Sequence, residues 1–349
     1  MRDLVNLFIA GLDRGANFAL IALGLTLVFG TLGVVNFAHG ALFMLGALVL
    51  LGTRYFFETQ FITDTSAAPI KDFLGNEVFP QVSLGEYLLG AGTESWLYQN
   101  SLLIAVFVTI IFMALVAWGI ERGIIRFFYR RPHAEQILVT FGLAVVLGEV
   151  VRALVGASGI TMTDMRPAWL TGTFKLGGGY YFGWIAPSFD MEKYRAFLVV
   201  IAGAIIAGVF ALIQLTRFGM IIRSGMQDRQ MVGLLGINIQ RRFTLMFILG
   251  SVIAGLAGLF YVPTASFSNN LGMEFLVIAF VVVVVGGMGS ISGAVLAGFI
   301  LGIAQTVSSH GAIEALIPGL NKVIIYLVAV VILLTMPRGL LGRRGVMEE

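Results

Sequence analysis

The sequence predicts an all-α integral membrane protein with about nine transmembrane helices, within a range of eight to ten. Three observations carry this prediction. First, 58% of the 349 residues are hydrophobic and only 12% are charged, whereas soluble domains carry about 25% charged residues. Second, the mean hydropathy is +0.95. Third, two long stretches contain no charged residue, which excludes an ordinary soluble domain, a disordered chain and a fibrous repeat.

The first charge-free stretch extends from Gly15 to Thr53 and predicts two membrane passes. Its 39 residues would span about 58 Å as one helix, although one bilayer crossing needs only about 30 Å. We place the break between the passes at Gly33–Gly40, because this segment has glycine at both ends and a polar pair between them. Asp13 and Arg14 interrupt the apolar N-terminal segment, so we expect a retained first span rather than a cleaved signal peptide.

The second charge-free stretch extends from Phe275 to Ile313 and predicts a second glycine-interrupted helix pair. It is also 39 residues long, and its break is expected at Gly286–Gly293. Only 11 apolar residues, Phe275 to Val285, precede this break, so we expect the break to lie within the bilayer. Single spans are predicted at about 99–120, 134–156, 196–216, 243–263 and 321–337.

Clusters of arginine orient these spans. With nine spans, all three clusters fall on one side, which the positive-inside rule makes cytoplasmic. The clusters are Arg122, Arg126, Arg130 and Arg131; Arg217, Arg223, Arg229, Arg241 and Arg242; and Arg338, Arg343 and Arg344. We therefore expect residues 1–349 to form a single transmembrane domain. Segments 53–99 and 157–195 would lie outside, and segment 217–242 would be a cytoplasmic loop.

Few ionisable side chains are predicted at bilayer depth, where each is a candidate for function because charge is costly there. Glu149 and Arg152 lie three residues apart on one helix face, so they form either an intramembrane structural ion pair or a substrate contact. His39 either satisfies backbone carbonyls in the first break or lines a pathway. His133 and His310 are predicted on different loops, so no metal site is expected. The chain has no cysteine, which excludes thiol chemistry, and nothing predicts a cofactor.

The two predicted breaks resemble each other. The first reads GTLG followed by GALF, and the second reads GGMG followed by GAVL. Corresponding glycine-interrupted segments in two halves of a chain indicate a transport site, and close helix packing through small residues is the alternative. The candidate path or gate residues are Asn36, Phe37, His39, Gly40, Gly286, Gly287, Gly289, Ser290 and Ser292.

Several function classes are excluded by missing motifs. A P-loop needs a Gly-Lys pair, and this pair does not occur in the chain. No TVGYG-type ion filter is present, and no predicted span carries a nucleophile–base pair or a metal-binding pattern. The chain is therefore not expected to be an enzyme, and active transport would need an ATPase on another chain.

The cytoplasmic segment 217–242 predicts a short amphipathic helix. Gly225 is expected to separate a basic part from a helix of about two turns at 227–235. Apolar residues recur in this helix at helical spacing, and they are Met231, Leu234 and Leu235. Gly236 suits the end of the helix. The helix either lies on the membrane surface or docks on a soluble partner.

Seven segments form a long and ordered set of motifs. They read ALIALGLTLVFGTLGVVNFAHGALFMLGA, ERGIIRFFYRRP, ILVTFGLAVVLGEVVRALVG, SGMQDRQMVGLLGINIQRR, SVIAGLAGLFY, VVVGGMGSISGAVLAGFILG and MPRGLLG. This set resembles the permease subunits of the branched-chain, or hydrophobic, amino-acid ABC importer family. The resemblance covers nearly the whole chain, and it implies the ABC-importer permease fold and a multi-pass protein of the bacterial inner membrane.

The resemblance also implies a heteromeric complex. The partners would be a second related permease subunit, two cytoplasmic ATPase subunits and a periplasmic substrate-binding protein, with no nucleic acid. The coupling helix that docks on an ATPase would comprise Arg223, Gln227, Asp228, Met231, Leu234, Leu235, Gly236 and Ile237. The two breaks would line or gate the path of a small solute. This solute would be a branched-chain or other hydrophobic amino acid, or a related small amide or organic acid.

Two outside segments depart from the family pattern. Segment 53–99 is longer than the resemblance leads us to expect, and segment 157–195 contains the aromatic run GGGYYFGW at 177–184. On the resemblance both segments are periplasmic, and they form either a docking collar for the binding protein or a passive cap. The alternative to an importer subunit is a stand-alone secondary carrier or channel for a small solute, with Glu149 as its only plausible ion site.

Overall fold

Fifteen α-helices occur in the part of the chain that the computed structural model describes. The described residues are 2–33, 36–64, 69–71, 77–90, 96–129, 131–156, 160–161, 166–176, 180–181, 184–185, 189–268 and 270–342. In chain order the helices are α1 (Arg2–Leu32), α2 (His39–Glu58), α3 (Leu84–Leu89), α4 (Trp96–Gln99), α5 (Ser101–Ile120), α6 (Arg126–Phe128), α7 (His133–Val155), α8 (Lys193–Leu215), α9 (Arg217–Gln227), α10 (Arg229–Leu234), α11 (Ile239–Tyr261), α12 (Leu271–Gly286), α13 (Ile291–Ser308), α14 (Gly311–Leu316) and α15 (Leu320–Thr335).

Nine of these helices are apolar enough to belong to a membrane bundle. Seven are also long enough to cross a bilayer, and they are α1, α2, α5, α7, α8, α11 and α13. The other two, α12 and α15, are shorter apolar helices. A π-helical turn at Glu121–Ile125 extends α5 into α6. The predicted all-α membrane fold with two interrupted helix pairs is thereby confirmed.

The described part of the chain also contains short antiparallel strand pairs outside the helices. The described strands are β1 (Gln60–Thr63), β2 (Ile70–Lys71), β3 (Glu77–Val78), β4 (Gln81–Ser83), β5 (Ile160–Thr161), β6 (Thr173–Leu176), β7 (Tyr180–Tyr181), β8 (Trp184–Ile185), β9 (Phe189–Glu192) and β10 (Ser266–Phe267). They pair as β1–β4, β2–β3, β5–β10, β6–β9 and β7–β8. All except β10 lie in the predicted outside segments 53–99 and 157–195. Of the aromatic run at 177–184, residues 177–179, 182 and 183 lie outside the described residues.

The centre of the bundle is formed by α1, α2 and α11, whereas α5, α7 and α8 are more exposed. Contacts between α1 and α13 are made through glycine: a methyl group on Gly11 would lie 2.9 Å from Cα of Ile303, and one on Gly298 would lie 2.8 Å from Cα of Ala19. Residue numbers rise along α1 as they fall along α13, so the two helices are antiparallel. Small residues let these backbones approach closely.

The crossing of α2 over α11 is also a backbone contact. A methyl group on Gly46 would overlap the carbonyl of Gly255, and one on Gly258 would overlap the carbonyl oxygen of Phe43. An aromatic cluster extends this contact to α12, because the Phe43 ring stacks on Phe275 with centroids 4.4 Å apart. Such ring pairs add stability beyond the area that they bury. The first half of α2 is therefore held firmly between α11 and α12.

The first helix begins earlier than predicted. The charge-free stretch placed the first span from Gly15, but α1 begins at Arg2 and its span begins at Leu7. The reason is that Asp13 is buried within the bundle, where its carboxylate lies 3.9 Å from the guanidinium of Arg195. A charge that has a partner does not end a membrane helix.

Described arginines gather at one end of the bundle, which we call the arginine-rich end. It is defined by Arg122, Arg126, Arg131, Arg217, Arg223, Arg241, Arg242 and Arg338. Nη2 of Arg126 donates to Oε1 of Gln240 at 3.1 Å, which joins the end of α6 to the start of α11. The predicted clusters also include Arg130, Arg343 and Arg344, which lie outside the described residues.

Candidate functional site

The two predicted breaks adjoin each other at the arginine-rich end. The first separates α1 from α2, and the second separates α12 from α13. A methyl group on Gly30, near the end of α1, would lie 3.3 Å from Cα of Gly289 in the second break. The two interrupted pairs thus meet at their interruptions, as a shared path or gate requires.

His39 shows that α2 begins deep within the bundle. Its imidazole is fully buried, and Nε2 lies 3.1 Å from the carbonyl oxygen of Ile21. Ile21 precedes Leu32, the last residue of α1, by 11 positions, or about 16 Å along the helix. The chain therefore turns after α1 and re-enters the bundle before α2 begins. Such irregular backbone at membrane depth is tolerated only against protein or a water-filled cavity.

Two polar atoms of the first break are buried without a partner among the described residues. A carbonyl oxygen only accepts, so Nε2 of His39 carries the ring proton and Nδ1 is the free acceptor. Nδ2 of Asn36 is a buried donor that likewise has no described partner. The break therefore presents one acceptor and one donor in apolar surroundings.

Hydrogen bonds and close packing hold other described groups of the first break. Oδ1 of Asn36 accepts from the backbone N–H of Ala38 at 3.1 Å. The N–H of Phe37 donates to Oγ1 of Thr140 on α7 at 3.2 Å. Position 40 requires glycine, because a methyl group there would overlap the carbonyl oxygen of Gly272 on α12. The neighbouring residues 34 and 35 lie outside the described part of the chain.

Close backbone packing fixes the second break. A methyl group on Gly286 would overlap the backbone of Gly293, and one on Gly287 would lie 2.5 Å from the backbone nitrogen of Gly342. Gly287 has φ +99°, a conformation that favours glycine. Packing thus accounts for these two glycines, and their place along a path stays a prediction.

The segment after α15 pairs with the end of α12. The backbone N–H of Leu340 donates to the carbonyl of Val285 at 2.8 Å, and that of Leu341 donates to the carbonyl of Gly286 at 3.1 Å. These bonds satisfy carbonyls that would otherwise lack a partner at a helix C-terminus. The MPRGLLG motif therefore anchors the second break.

The two serines of the second break differ in environment. Oγ of Ser290 accepts from the N–H of Gly293 at 3.1 Å and caps α13, as serine does at many helix N-termini. Ser292 is exposed. Ser290 is accordingly a structural cap in this state, and the place of Ser292 along a path stays a prediction.

The predicted coupling segment folds into α9 and α10, which are joined at Asp228. Oδ1 of Asp228 accepts from the N–H groups of Gln230 at 2.8 Å and Met231 at 3.0 Å, which caps α10. The prediction that Gly225 separates the two parts is wrong, because Gly225 lies within α9. It is glycine for a packing reason: a methyl group there would collide with the side chain of Ile239.

The apolar face of α10 has no covering element among the described residues. Leu234 is 83% exposed, Leu235 is 76% exposed, and Met231 is also largely exposed. Val232, on the other side, is buried and holds α10 to the bundle. Gly236 follows with φ +78° and ends the helix as predicted.

The other predicted coupling residues tie this segment to the spans. The Arg223 guanidinium donates to the carbonyl oxygen of Ile213 and to Oε1 of Gln214 near the end of α8. Gln227 ends α9 and is exposed. Ile237 lines a cavity beside the first turn of α11. A force applied to α9 would therefore reach both α8 and α11.

Comparison with known proteins decides the family. Residues 7–333 match the family model described as "Branched-chain amino acid transport system / permease component". The chain belongs to this family. It is the membrane-spanning permease component of an ABC importer, and it has no significant match among solved structures.

Curated relatives cover nearly the whole permease. The chain is 27% identical over 338 residues to the high-affinity branched-chain amino acid transport system permease protein LivH of Escherichia coli K12, covering 95% of this chain and 94% of LivH. The LivH protein of Salmonella typhimurium gives the same values. BraD of Pseudomonas aeruginosa is 26% identical over 346 residues, covering 98% of this chain and 96% of BraD.

In this permease the predicted intramembrane ion pair lies on the exposed face of α7. The Glu149 and Arg152 side chains are 3.6 Å apart, and they are 66% and 55% exposed. This position supports the interpretation of the pair as structural. Glu149 is not buried, so it does not form the buried ion site that a stand-alone carrier would need. No group of three potential metal ligands occurs among the described residues.

An ion-pair network at the end opposite the arginine-rich end was not predicted from the sequence. Asp13 on α1 lies 3.9 Å from Arg195 on α8. Arg195 lies 3.4 Å from Glu192, which in turn lies 3.0 Å from Arg166. The network ties two spans to segment 157–195. The charged pair Asp13 and Arg14 within the first apolar span was the available signal.

A second unpredicted cluster joins α2, α4 and α5 at the same end. Arg54 lies 2.7 Å from Glu58 and donates to Oγ of Ser101 at 3.1 Å. The Tyr98 hydroxyl donates to Glu58 at 2.9 Å. Burial, together with this bond, raises the pKa of Tyr98 above its ordinary value, so the phenol remains a neutral donor at physiological pH. The cluster stabilises the C-terminal end of α2.

A buried carboxyl group lies in the π-helical turn after α5. Oε1 of Glu121 accepts from the Tyr129 hydroxyl at 3.0 Å, and Oε2 has no partner among the described residues. Tyr129 and Thr140 line an adjacent cavity of about 10 Å³, which is the size of one water molecule. Since Thr140 also holds the first break, this polar patch connects the arginine-rich end to the start of α2.

Proposed function

We propose that this permease is one subunit of a heteromeric ATP-driven importer in the bacterial inner membrane. Its partners would be a second related permease, two cytoplasmic ATPases and a periplasmic binding protein. The observation that carries the proposal is the uncovered apolar face of α10, formed by Met231, Leu234 and Leu235. An exposed apolar patch of this kind marks an interaction surface. ATP hydrolysis would reside on the partners, because this chain has no P-loop pattern.

The proposed orientation follows from charge. The arginine-rich end faces the cytoplasm, as the positive-inside rule requires. The coupling segment 217–242 then lies where cytoplasmic ATPases can reach it. Segments 53–99 and 157–195 lie on the periplasmic side, where their strand pairs form a surface for the binding protein.

The proposed path passes the two breaks. The free Nδ1 of His39 and Nδ2 of Asn36 are an acceptor and a donor near the middle of the bundle. They would contact polar groups of a small solute once the breaks separate. Gly40, Gly289 and Ser292 would contribute backbone or hydroxyl contacts at the same breaks, in line with broken-helix sites of other transporters.

The proposed solute is a branched-chain or other hydrophobic amino acid, or a related small amide or organic acid. The relatives LivH and BraD are named for branched-chain amino acid transport. Their identity to this chain, 27% and 26%, supports a shared solute class rather than one particular solute. The mostly apolar bundle favours a solute with an apolar part, and the binding protein would select among such solutes.

The proposed coupling route runs from α10 to α2. ATP binding would move α10, and Arg223 and Gly225 would pass the motion from α9 to α8 and α11. Because α11 crosses α2 by backbone contact between Gly255 and Gly46, displacement of α11 would shift α2 and its His39. Packed contacts of this kind transmit discrete rearrangements rather than gradual deformation.

Co-purification tests the proposal. We expect the tagged permease, extracted in mild detergent, to retain two P-loop ATPase chains and a second permease, as identified by mass spectrometry. A tagged, unrelated inner-membrane protein of the same host is the control. This control protein should be one that has known subunits of its own and keeps them under the same extraction. Recovery of the permease alone, while the control keeps its subunits, would contradict the proposed assembly.

A further inference from the structure

A cavity of about 510 Å³ lies between α9 and the first turns of α11 at the arginine-rich end. Its lining residues are Ile221, Ile237, Asn238, Arg241, Arg242 and Leu245, together with Gly236. The volume falls in the range of small-ligand sites. The cavity adjoins the predicted coupling segment through Gly236 and Ile237, but its lining includes neither the apolar side chains of α10 nor any residue of the two breaks.

The charge of this cavity is positive. Arg241 and Arg242 contribute two guanidinium groups, and no lining residue is acidic. Among the described side chains neither arginine forms an ion pair, and Asp228, the nearest acidic residue in sequence, caps α10 instead. Two adjacent guanidinium groups form strong charge-assisted hydrogen bonds with phosphate. An anionic group of phosphate type therefore complements the cavity.

The lining residues of α11 change from polar to apolar with depth. Arg241, Arg242 and Leu245 lie three, four and seven positions after Asn238, so the four residues share one face of the helix. Helix α11 is long and apolar enough to cross a bilayer from Ile239 onward, and a bilayer crossed in this way would place its arginines at the level of lipid headgroups. Leu245, 47% exposed, lies one turn deeper, at the level of acyl chains.

We propose that this cavity is a binding site for an anionic phospholipid of the cytoplasmic leaflet. The phosphate would contact Arg241 and Arg242, and an acyl chain would lie along Leu245 and Ile221. An acidic segment of a partner ATPase would also suit the arginines, but it could not reach an apolar side chain below the headgroups. Basic pockets beside membrane helices on the cytoplasmic side bind anionic headgroups.

The site would place a lipid between the coupling segment and a span. One wall is α9 through Ile221, and the other is α11 through Arg241 and Leu245. A bound lipid would fill the gap between these helices and hold α9 in position. The proposal depends on the membrane orientation of α11 and not on the identity of the solute.

Native mass spectrometry of the full chain tests the site. The permease would be released from nanodiscs of phosphatidylcholine with added phosphatidylglycerol, and retained lipids would be counted and identified. We expect Arg241→Gln/Arg242→Gln to weaken phosphatidylglycerol retention about tenfold or more, because charge-assisted bonds are lost. The matched control Arg131→Gln/Arg217→Gln removes the same charge from the same end, outside the cavity, and should retain the lipid.

Two further arms separate the possible occupants. Glycerophosphoglycerol, which has the headgroup but no acyl chains, should not displace the bound phosphatidylglycerol. The substitution Leu245→Gln should weaken the retention of phosphatidylglycerol. Equal lipid retention by wild type and the cavity variant would overturn the proposal, as would full displacement by the soluble headgroup. Loss of ATPase co-purification in the cavity variant with unchanged lipid retention would assign the arginines to the partner chain instead.

Discussion

Replacing Gly46 with valine is expected to prevent stable packing of α2 against α11. Even one methyl group at this position would overlap the carbonyl of Gly255, and a backbone obstacle cannot rotate away. Overpacking of a tight interior costs about 3 kcal/mol when the neighbours cannot yield. We expect little folded Gly46→Val protein by size-exclusion chromatography in detergent, and a lower thermal midpoint for whatever remains.

Gly52→Val is the matched control for this prediction. It makes the same substitution in the same helix, but a methyl group on Gly52 would meet nothing within 4 Å. We expect this variant to elute and unfold like the wild type. If Gly46→Val matches Gly52→Val in yield and thermal midpoint, then α2 does not cross α11 by the backbone contact described above.

The double substitution Leu234→Glu/Leu235→Glu is expected to abolish ATP-driven uptake without unfolding the permease. Both side chains are largely exposed in the free chain, so their replacement removes little internal packing. In the assembly they would be buried on an ATPase, where introduced carboxylates are strongly disfavoured. Loss of central apolar anchors costs about 2 kcal/mol or more each, so we expect uptake in proteoliposomes to fall by at least about tenfold.

Leu316→Glu provides the comparison for surface charge. Leu316 is 79% exposed on α14, at the end of the bundle opposite the coupling segment. This variant should keep its ATPase partners and its uptake. Normal ATPase association of the Leu234→Glu/Leu235→Glu variant would show that α10 is not the docking helix, and a helix lying on the membrane surface would then explain its apolar face.

The positions of the two breaks were predictable because length and charge alone determine them. A charge-free stretch that exceeds one bilayer crossing must turn, and Gly33–Gly40 and Gly286–Gly293 each place polar residues between glycines near the middle of their stretch. The structure begins α2 at His39 and α13 at Ile291, within those limits. The apolar face of α10 was predictable for a similar reason, since helical spacing fixes which side chains share a face.

Features that depend on contacts distant in sequence were not predictable. The depth of His39 depends on a hydrogen bond to Ile21, and nothing in the first break specifies that contact. The placement of Gly225 inside α9 depends on Ile239 from the next span. Asp13 looked like the boundary of a span because its partner Arg195 lies far along the chain. In each case tertiary contacts overrode a local signal.

Solute uptake by reconstituted proteoliposomes tests the central claim most directly. The co-purified assembly would be reconstituted with its binding protein, loaded with the labelled solute that this protein retains. ATP, a non-hydrolysable analogue or no nucleotide would be enclosed on the ATPase side. The account predicts that the assembly takes up solute against a gradient only when ATP is enclosed, and not with the analogue or without nucleotide. It also predicts no uptake by the permease without ATPase chains. Equal uptake by the isolated permease in the absence of ATP would contradict the account and identify the chain as a carrier or channel.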